Sequence, residues 1–127
     1  MYFLSRRSLS RLHGVHPDLR RVVQRAINIT PVDFTVLEGL RTAKRQRQLM
    51  NSGATRTMNS RHLTGHAVDL GAYVGGSVRW DWPLYHRIAG AVKQAAKDER
   101  VSIEWGGDWR SFKDGPHWQL PWAEYPR

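Results

Sequence analysis

The 127-residue sequence contains no cysteine, which excludes disulfides, thiolate zinc sites, iron–sulfur clusters and cysteine nucleophiles together. It also lacks a long hydrophobic run, because the longest stretches without Asp, Glu, Lys or Arg are the nine residues 70–78 and 115–123. A helix that spans a bilayer needs about 20 apolar residues, so we expect no transmembrane segment. The start of the chain has no apolar run of signal-peptide length, so we expect no signal peptide.

The chain does contain enough apolar surface for one hydrophobic core. Hydrophobic residues make up 40% of the sequence, and six of the aromatic residues are tryptophans. A chain of this length buries roughly two-thirds of its unfolded surface when it folds. Because no repeat, low-complexity tract or linker interrupts the sequence, we predict a single domain over residues 1–127.

Acidic residues are scarce in the first half of the chain. Residues 1–61 hold 12 Lys and Arg against three Asp and Glu, whereas residues 62–127 hold eight of each. The N-terminal half therefore accounts for the whole formal net charge of +9. At the level of composition, a basic surface fits nucleic acid, anionic lipid or an acidic polymer equally well.

Hydrophobic periodicity predicts three helices and four short strands. The first helix opens at Pro17 with one apolar face, the second is capped by Thr42 and runs to about Ser52, and the third opens at Pro83 and runs to about Lys97. Strands are predicted at 33–40, 66–71, 101–105 and 116–120. This mixture predicts an α+β fold, in which three helices pack against a small antiparallel sheet.

The predicted strand that starts at residue 66 separates a polar side chain from apolar ones. Val68 and Leu70 lie on one face, and the alternation places His66 with them, whereas Asp69 points to the other face. We therefore expect His66 in the core and leave it out of the candidate site. Because Asp69 points away from the hydrophobic face, its carboxylate can converge with other polar side chains.

Two further histidines can join Asp69. His62 lies in the glycine-containing turn before that strand, and His117 lies on the last predicted strand. Two imidazoles and one carboxylate are a common catalytic zinc set that leaves a fourth position for water. The helical metalloprotease motif HExxH is absent, because Leu63 follows His62 and Gly65 breaks the spacing.

Each of these residues also has an ordinary structural explanation. A lone histidine or aspartate is more often structural or solvated than catalytic. We expect Trp105 and Trp109 to pack in the core or at its rim rather than to form a platform for a ligand.

Taken together, the polar segments resemble one family. Ser60, His62, Gly65, Ala67 and Asp69 match Ser-x-His-x-x-Gly-x-Ala-x-Asp, the signature of the zinc D,D-/L,D-peptidases of the VanY and VanX type. The later Trp-Gly-Gly-Asp-Trp and Asp-x-Pro-His-aromatic segments are similar to the phage endolysin branch, the L-alanyl-D-glutamate peptidases. The segment 38–42, followed by a glutamine at position 46, is similar to that branch too. The resemblance covers about residues 36–120 and implies a Hedgehog/D,D-peptidase-like fold.

The resemblance also implies a metal site and a general base. One zinc ion per chain would be held by His62, Asp69 and His117. Asp114, three residues before the last ligand, would be the general base that takes a proton from the attacking water and passes it to the leaving amine.

Two more residues are implied to contact the substrate. Arg41 resembles the family arginine that faces the polarised carbonyl or a substrate carboxylate, a role that suits its fixed charge. Ser60 is a candidate hydrogen-bonding partner of the substrate. The alternative for Arg41 is that it belongs to a basic surface run. That run would contain Lys44, Arg45 and Arg47.

The function implied by the resemblance is that of a zinc-dependent peptidoglycan endopeptidase, an endolysin that hydrolyses the L-Ala–D-Glu bond of the stem peptide. We expect a monomer with no separate cell-wall-binding domain. Without a signal peptide, such an enzyme would stay in the host cytoplasm until release and then reach the periplasm and cell wall. The basic N-terminal half would contact the anionic wall or membrane surface.

Three alternatives stay open at this point. A D-Ala-D-Ala carboxypeptidase would use the same chemistry on a terminal residue. A non-catalytic member of the same fold would bind the wall or a metal only. Nucleic-acid binding has the required charge, but the sequence shows no helix-turn-helix, RNP or OB signature, so no nucleic-acid partner is expected.

Overall fold

Four α-helices and a five-stranded sheet make up the computed structural model, which describes residues 1–55 and 57–126. In chain order the elements are α1 (Arg6–Arg11), α2 (Pro17–Ile29), β1 (Phe34–Glu38), α3 (Ala43–Asn51), β2 (Ala67–Val74), β3 (Ser77–Arg79), α4 (Trp82–Glu99), β4 (Glu104–Trp105) and β5 (His117–Gln119). Two 3₁₀ turns, Arg61–Thr64 and Gly106–Asp108, complete the described elements. The α+β class is confirmed, whereas the short elements α1 and β3 were not predicted.

The three longer helices begin where the sequence predicts. Pro17 and Pro83 occupy the first turns of α2 and α4, where a missing N–H breaks no helical hydrogen bond. The Thr42 hydroxyl accepts a hydrogen bond from the Arg45 N–H at 3.1 Å and caps α3. The buried face of α2 is the predicted one, Leu19, Val22, Val23, Ala26 and Ile27. Among the described helices, none combines the length and apolarity needed to cross a membrane.

β2 is the central strand of the antiparallel sheet. β1 pairs with one edge of β2, and β5 and the hairpin strand β3 pair with the other. β4 continues the sheet beyond β5, which gives the order β1-β2-β5-β4. The register of β2 and β5 sets Asp69 directly across from His117.

One face of this sheet forms the hydrophobic core with α2 and α4. Val68 and Leu70 of β2 are fully buried there, as the strand alternation predicts. Trp105 and Trp118, which are cross-strand partners in β4 and β5, stack in the same core with ring centroids 5.6 Å apart. The expectation that Trp105 is a core residue is therefore confirmed, and the polar residues of β2 and β5 are left on the opposite face.

The predicted core position of His66 is wrong. β2 begins at Ala67, so the alternation of the strand does not extend back to His66. The His66 ring is half-buried instead, with its Nδ1 2.6 Å from the Thr64 hydroxyl and its centroid 5.4 Å from that of His16. His66 also lies outside the group of side chains that could hold a metal.

The C-terminal segment is fastened to both α2 and the turn before β2. The Tyr125 hydroxyl donates a hydrogen bond to Asp18 Oδ2 at 2.7 Å, and the buried Arg61 donates to the Tyr125 carbonyl at 2.6 Å. The bond to Asp18 raises the pKa of Tyr125 to about 12. The same bond, with that from Arg21, lowers the pKa of Asp18 below its ordinary value.

We predict that Tyr125→Phe lowers the free energy of unfolding by roughly 1 kcal/mol near neutral pH, because one partly buried hydrogen bond is lost. The pKa of Tyr125 is higher in the folded protein, about 12, than in the unfolded chain, near 10. The hydrogen bond therefore contributes its full stability below about pH 10 and loses it as the pH rises toward about 12. The difference between the two proteins should therefore shrink above about pH 10. Urea unfolding at several pH values measures it.

The control is Tyr73→Phe, which removes the hydroxyl of an exposed tyrosine on β2. It should leave stability close to wild type at every pH. A Tyr125→Phe difference that stays constant from pH 8 to about pH 12 would contradict the role of this hydrogen bond.

Candidate metal centre and active site

His62 is held by a tight turn whose geometry depends on a glycine. The Ser60 hydroxyl accepts a hydrogen bond from the His62 N–H at 3.2 Å and caps the 3₁₀ turn. Gly65 ends the turn with φ at +76°, and a Cβ at this position would lie 2.3 Å from the Gly14 carbonyl oxygen. Any other residue at position 65 would force the backbones apart, so the Gly of the sequence motif is a steric requirement.

The buried His62 ring has one defined tautomer. Its Nδ1 lies 2.8 Å from the Gly39 carbonyl oxygen, which can only accept a hydrogen bond. Nδ1 therefore carries the hydrogen, and Nε2 presents a lone pair. That Nε2 lies 3.3 Å from Asp69 Oδ1.

Asp69 lies between the two imidazoles. Its Oδ1 is 3.3 Å from His62 Nε2 and 3.2 Å from His117 Nδ1, and 21% of the side chain is exposed. Burial alone would raise the pKa of Asp69, but its contacts with His117 and His62 outweigh burial and hold the pKa far below its ordinary value. The carboxylate is therefore ionised and available as a ligand at neutral pH.

His117 completes the group from β5. Its ring is buried, and its Nε2 lies 2.8 Å from Gln119 Oε1. Burial would lower the pKa of His117, but the hydrogen bond to Asp69, the negative charge of Asp69 and the bond to Gln119 raise it overall.

These three side chains fit a metal ion. One donor atom from each of His62, Asp69 and His117 lies within 4.8 Å of the others. Donors bound tetrahedrally to zinc at about 2.0–2.2 Å lie roughly 3.3–3.6 Å apart. The distances from Asp69 Oδ1 to His62 Nε2, 3.3 Å, and to His117 Nδ1, 3.2 Å, are close to this range. Among residues 1–55 and 57–126, this is the group of three that could hold an ion.

Asp114 lies beside this group without joining it. It lines the same cavity, and its N–H donates to the Gly106 carbonyl at 3.0 Å. A Cβ on Gly106 would lie 2.4 Å from the Asp114 carbonyl oxygen, so this glycine allows the loop to close on the site. The Asp114 carboxylate makes no hydrogen bond to another described residue. Burial, and next the charge of Asp69, raise its pKa above the ordinary value.

Arg41 is part of the site and not of a surface run. Only 9% of its side chain is exposed, and its Nη2 lies 3.9 Å from Asp69 Oδ2. Glu38 forms an ion pair with the guanidinium, and Gln46 Oε1 accepts from Nη1 at 2.7 Å. The surface-run alternative for Arg41 is therefore wrong. The residues that do form an exposed basic run on α3 are Lys44, Arg45 and Arg47.

An open cavity of about 540 Å³ lies over the three donors. Arg41, Ser60 and Asp114 line it, together with Trp109 and Trp122. The Trp109 ring is half-buried at the rim, with its centroid 5.1 Å from that of His117. The structure therefore brings every sequence-predicted site residue to one cavity.

The groups that orient the two histidines were not predicted from the sequence. These are the Gly39 carbonyl for His62, and Gln119 with Glu104 for His117. Gln119 could have been found, since it lies two residues after His117 and so shares its face of β5. Gly39, just after β1, and Glu104, on β4, are far from the histidines in sequence, and periodicity does not predict which segments meet.

Several known proteins are similar to this chain in sequence. Residues 1–119 match the sequence profile of the phage L-alanyl-D-glutamate peptidase family. The chain is 32% identical over 111 residues to the L-alanyl-D-glutamate peptidase of Escherichia phage T5, across 84% of this chain and 81% of that protein. It is 33% identical over 104 residues to the peptidoglycan L-alanyl-D-glutamate endopeptidase CwlK of Bacillus subtilis, across 70% of this chain and 61% of CwlK.

Solved structures show the same fold. The crystal structure of the Serratia marcescens L-Ala D-Glu endopeptidase ChiX superposes with a TM-score of 0.94 at 48% identity, across 100% of this chain and 95% of ChiX. The D,D-dipeptidase VanXYg, solved with a D-Ala-D-Ala phosphinate analogue, superposes with a TM-score of 0.60 at 19% identity, across 84% of this chain and 50% of that one. The second likeness shows the fold alone.

The fold is of the D,D-peptidase-like class. Within that class, the chain belongs to the phage L-alanyl-D-glutamate peptidase family, and the resemblance noted in the sequence is confirmed.

We predict that Gln46→Met destabilises the wall of the cavity. Gln46 is fully buried on α3, where its amide donates to the Thr57 carbonyl and accepts from Arg41. Removal of the buried amide breaks both of these part-buried hydrogen bonds, which typically costs about 1–3 kcal/mol. Urea unfolding measures the change in the free energy of unfolding.

Gln48→Met is the matched control, because Gln48 is an exposed residue of the same helix. It should change stability by less than about 0.5 kcal/mol. Equal stabilities for the two variants would show that Gln46 does not anchor the wall.

Proposed function

We propose that this chain is a zinc-dependent peptidoglycan endopeptidase that hydrolyses the L-Ala–D-Glu bond of the stem peptide. The observation that carries the proposal is the arrangement of two oriented imidazoles and one carboxylate in a cavity that also holds a separate half-buried carboxylate, Asp114, and the guanidinium of Arg41. Its support comes from family membership, since the relatives in phage T5 and Bacillus subtilis are named for this bond.

His62, Asp69 and His117 would hold the metal. Two neutral imidazole nitrogens with one carboxylate suit zinc, and three protein ligands leave a position for water or substrate. Zinc bound there supplies a Lewis acid that polarises a carbonyl group and makes water more acidic. The chain's remaining residues orient the peptide and move the proton.

Asp114 would move that proton. It lines the cavity, its carboxylate makes no hydrogen bond to another described residue, and burial raises its pKa above the ordinary value. Such a group accepts a proton from the attacking water and donates it to the amine that leaves. Asp69 cannot replace it, because both histidines hold its Oδ1 and its pKa lies far below the ordinary value.

Arg41 would hold the oxygen atoms of the substrate. Glu38 and Gln46 fix its guanidinium on the wall of the cavity, so its charge is in place before the substrate binds. A fixed guanidinium stabilises either the oxygen of the attacked carbonyl or a carboxylate of the peptide. Ser60 lines the same wall and would add a hydrogen bond, besides capping the turn of His62.

The products of digestion test the proposal. We predict that the purified protein binds one zinc per chain and that, with purified peptidoglycan, it releases peptides with a new N-terminal D-Glu, measured by mass spectrometry. His117→Ala should lose both the zinc and the products. Release of free D-Ala alone would instead identify a carboxypeptidase, and a zinc-loaded wild type with no products would identify a non-catalytic member.

We predict that Asp114→Asn lowers turnover by at least about 100-fold, because a base in position typically contributes about 10²- to 10⁴-fold. The amide keeps the size of the side chain but cannot accept the proton. Zinc content and melting temperature should stay close to wild type. Near-normal hydrolysis by a folded, zinc-loaded Asp114→Asn would remove Asp114 from the mechanism.

We also propose that the basic run on α3 attracts the enzyme to an anionic wall or membrane surface. Lys44, Arg45 and Arg47 are exposed on α3, and α3 borders the cavity through Leu49. The basic residues of α2 are less suited to this role. Arg21 pairs with Asp18 and Glu99, and Arg25 pairs with Asp98.

We predict that replacing Arg45 and Arg47 by Gln slows lysis of whole cells at low salt and leaves hydrolysis of a small soluble stem peptide nearly unchanged. The difference should vanish as salt rises, since the screening length is about 10 Å at 0.1 M. The matched control replaces Arg21 and Arg25 by Gln and removes the same net charge. An equal loss of lysis in both variants would show that total charge matters and that the α3 run does not.

The place of action and the working form follow from the same proposal. Enzymes that cut the stem peptide act at the wall, so we propose that the chain accumulates in the host cytoplasm and reaches the periplasm and cell wall at lysis. One chain supplies the metal donors, Asp114 and Arg41, which supports a monomer as the working form.

A further inference from the structure

Gln119 connects the site to a residue that the proposed mechanism does not use. It follows His117 on β5 at the same face of the strand, and only 8% of it is exposed. Its Oε1 lies 2.8 Å from His117 Nε2, and its amide nitrogen donates to Glu104 Oε2 at 3.2 Å. A chain of two hydrogen bonds therefore runs from the carboxylate of Glu104 to the ring of His117.

Chemistry allows only one direction for this chain. A carboxylate only accepts hydrogen bonds, so the NH₂ group of Gln119 must face Glu104 and its carbonyl must face His117. The nitrogen of His117 that meets this carbonyl must then carry the hydrogen. In a neutral ring this leaves the lone pair on Nδ1, the atom that lies 3.2 Å from Asp69 Oδ1. Because the Asp69 carboxylate also only accepts, it favours the opposite tautomer in the metal-free protein, and Gln119 opposes it.

The sheet holds the three residues in this order. Glu104 and Gln119 are direct cross-strand partners of β4 and β5. The next pair along the same strands, Trp105 and Trp118, is stacked in the core. Because a slip of one residue would move these tryptophans out of the core, core packing fixes the register that sets Glu104 against Gln119.

His117 needs such a partner because either of its ring nitrogens can carry the hydrogen. With the hydrogen on Nδ1, the ring would present a donor to the place where a metal ion requires a lone pair. His62 also has two possible tautomers, and the Gly39 carbonyl, 2.8 Å from Nδ1, selects the one with the hydrogen on Nδ1. The two histidines are thus oriented by different groups, one from the backbone and one from a side chain.

We infer that Gln119, held in one orientation by Glu104, is a positioning residue that fixes the His117 tautomer required for metal binding. The inference rests on the proposed metal site. Partners of metal-binding histidines typically change metal affinity or activity by about 10- to 100-fold when they are replaced.

The test is Gln119→Met, which keeps the volume of the side chain and removes both hydrogen bonds. Zinc affinity, measured by competition with a chromophoric chelator, should fall by about 10- to 100-fold. In the metal-free protein at about pH 9, ¹⁵N NMR should show a larger fraction of the Nε2–H tautomer of His117 in wild type than in the variant, where only Asp69 remains to favour Nδ1–H.

Two further variants make the result specific. Glu104→Gln keeps the size but no longer forces the orientation of Gln119, so zinc affinity should fall between that of wild type and Gln119→Met. Gln94→Met breaks an amide–carboxylate bond of the same kind, Gln94 to Asp98 at 2.8 Å, on the exposed surface of α4. It should leave both the tautomer and zinc affinity unchanged.

Wild-type zinc affinity and the wild-type fraction of the Nε2–H tautomer of His117 in Gln119→Met would overturn the inference. The Glu104→Gln protein supplies the same two measurements if Gln119→Met does not fold. Because the tautomer is read in metal-free protein, it decides the role of Gln119 separately from zinc. A wild type that binds no zinc would contradict the proposed function instead.

Discussion

The pairing of β2 with β5 is the constraint on which the rest of the site depends. It places Asp69 opposite His117, while Val68 and Leu70 on the other face of β2 and Trp118 on the other face of β5 fill the core. Because side chains alternate along a strand, a slip of one residue in either strand would turn Asp69 or His117 into the core and turn the core side chains of that strand outward. Hydrophobic packing therefore specifies the site, although no apolar residue contributes a donor to it.

Around this pair, the protein orients its polar groups before any ligand arrives. The Gly39 carbonyl orients His62, Gln119 orients His117, and Glu38 and Gln46 orient Arg41. Gln119, Glu38 and Gln46 lie on strands or helices that the core already fixes, and Gly39 directly follows β1. Little rearrangement is then required on binding, and preorganised charges of this kind act most strongly in a partly buried site. Asp114 differs from them, since its carboxylate makes no hydrogen bond within residues 1–55 and 57–126, and the proposed function assigns it the proton transfer.

Much of this arrangement could be predicted from the sequence, for reasons that are local. Strand alternation placed Asp69 away from Val68 and Leu70, and proline and threonine marked where the long helices begin. His66 was assigned to the core because the alternation was extended one residue too far, past the start of β2. The partners Gly39 and Glu104 could not be predicted, because Gly39 follows β1 and Glu104 lies on β4, and their contacts depend on how these distant segments meet the histidines. The sequence alone did not distinguish Arg41 from its exposed basic neighbours, because the contacts with Glu38 and Gln46 that hold its guanidinium depend on the fold.

The central claim is that two imidazoles of defined tautomer and one carboxylate form a zinc site in this chain. X-ray absorption spectroscopy at the zinc edge of the loaded protein tests it most directly. The account predicts about four nitrogen and oxygen neighbours at about 2.0–2.2 Å, with the outer-shell scattering of two imidazole rings. A shell of six oxygens, or the signature of one imidazole or none, would contradict it.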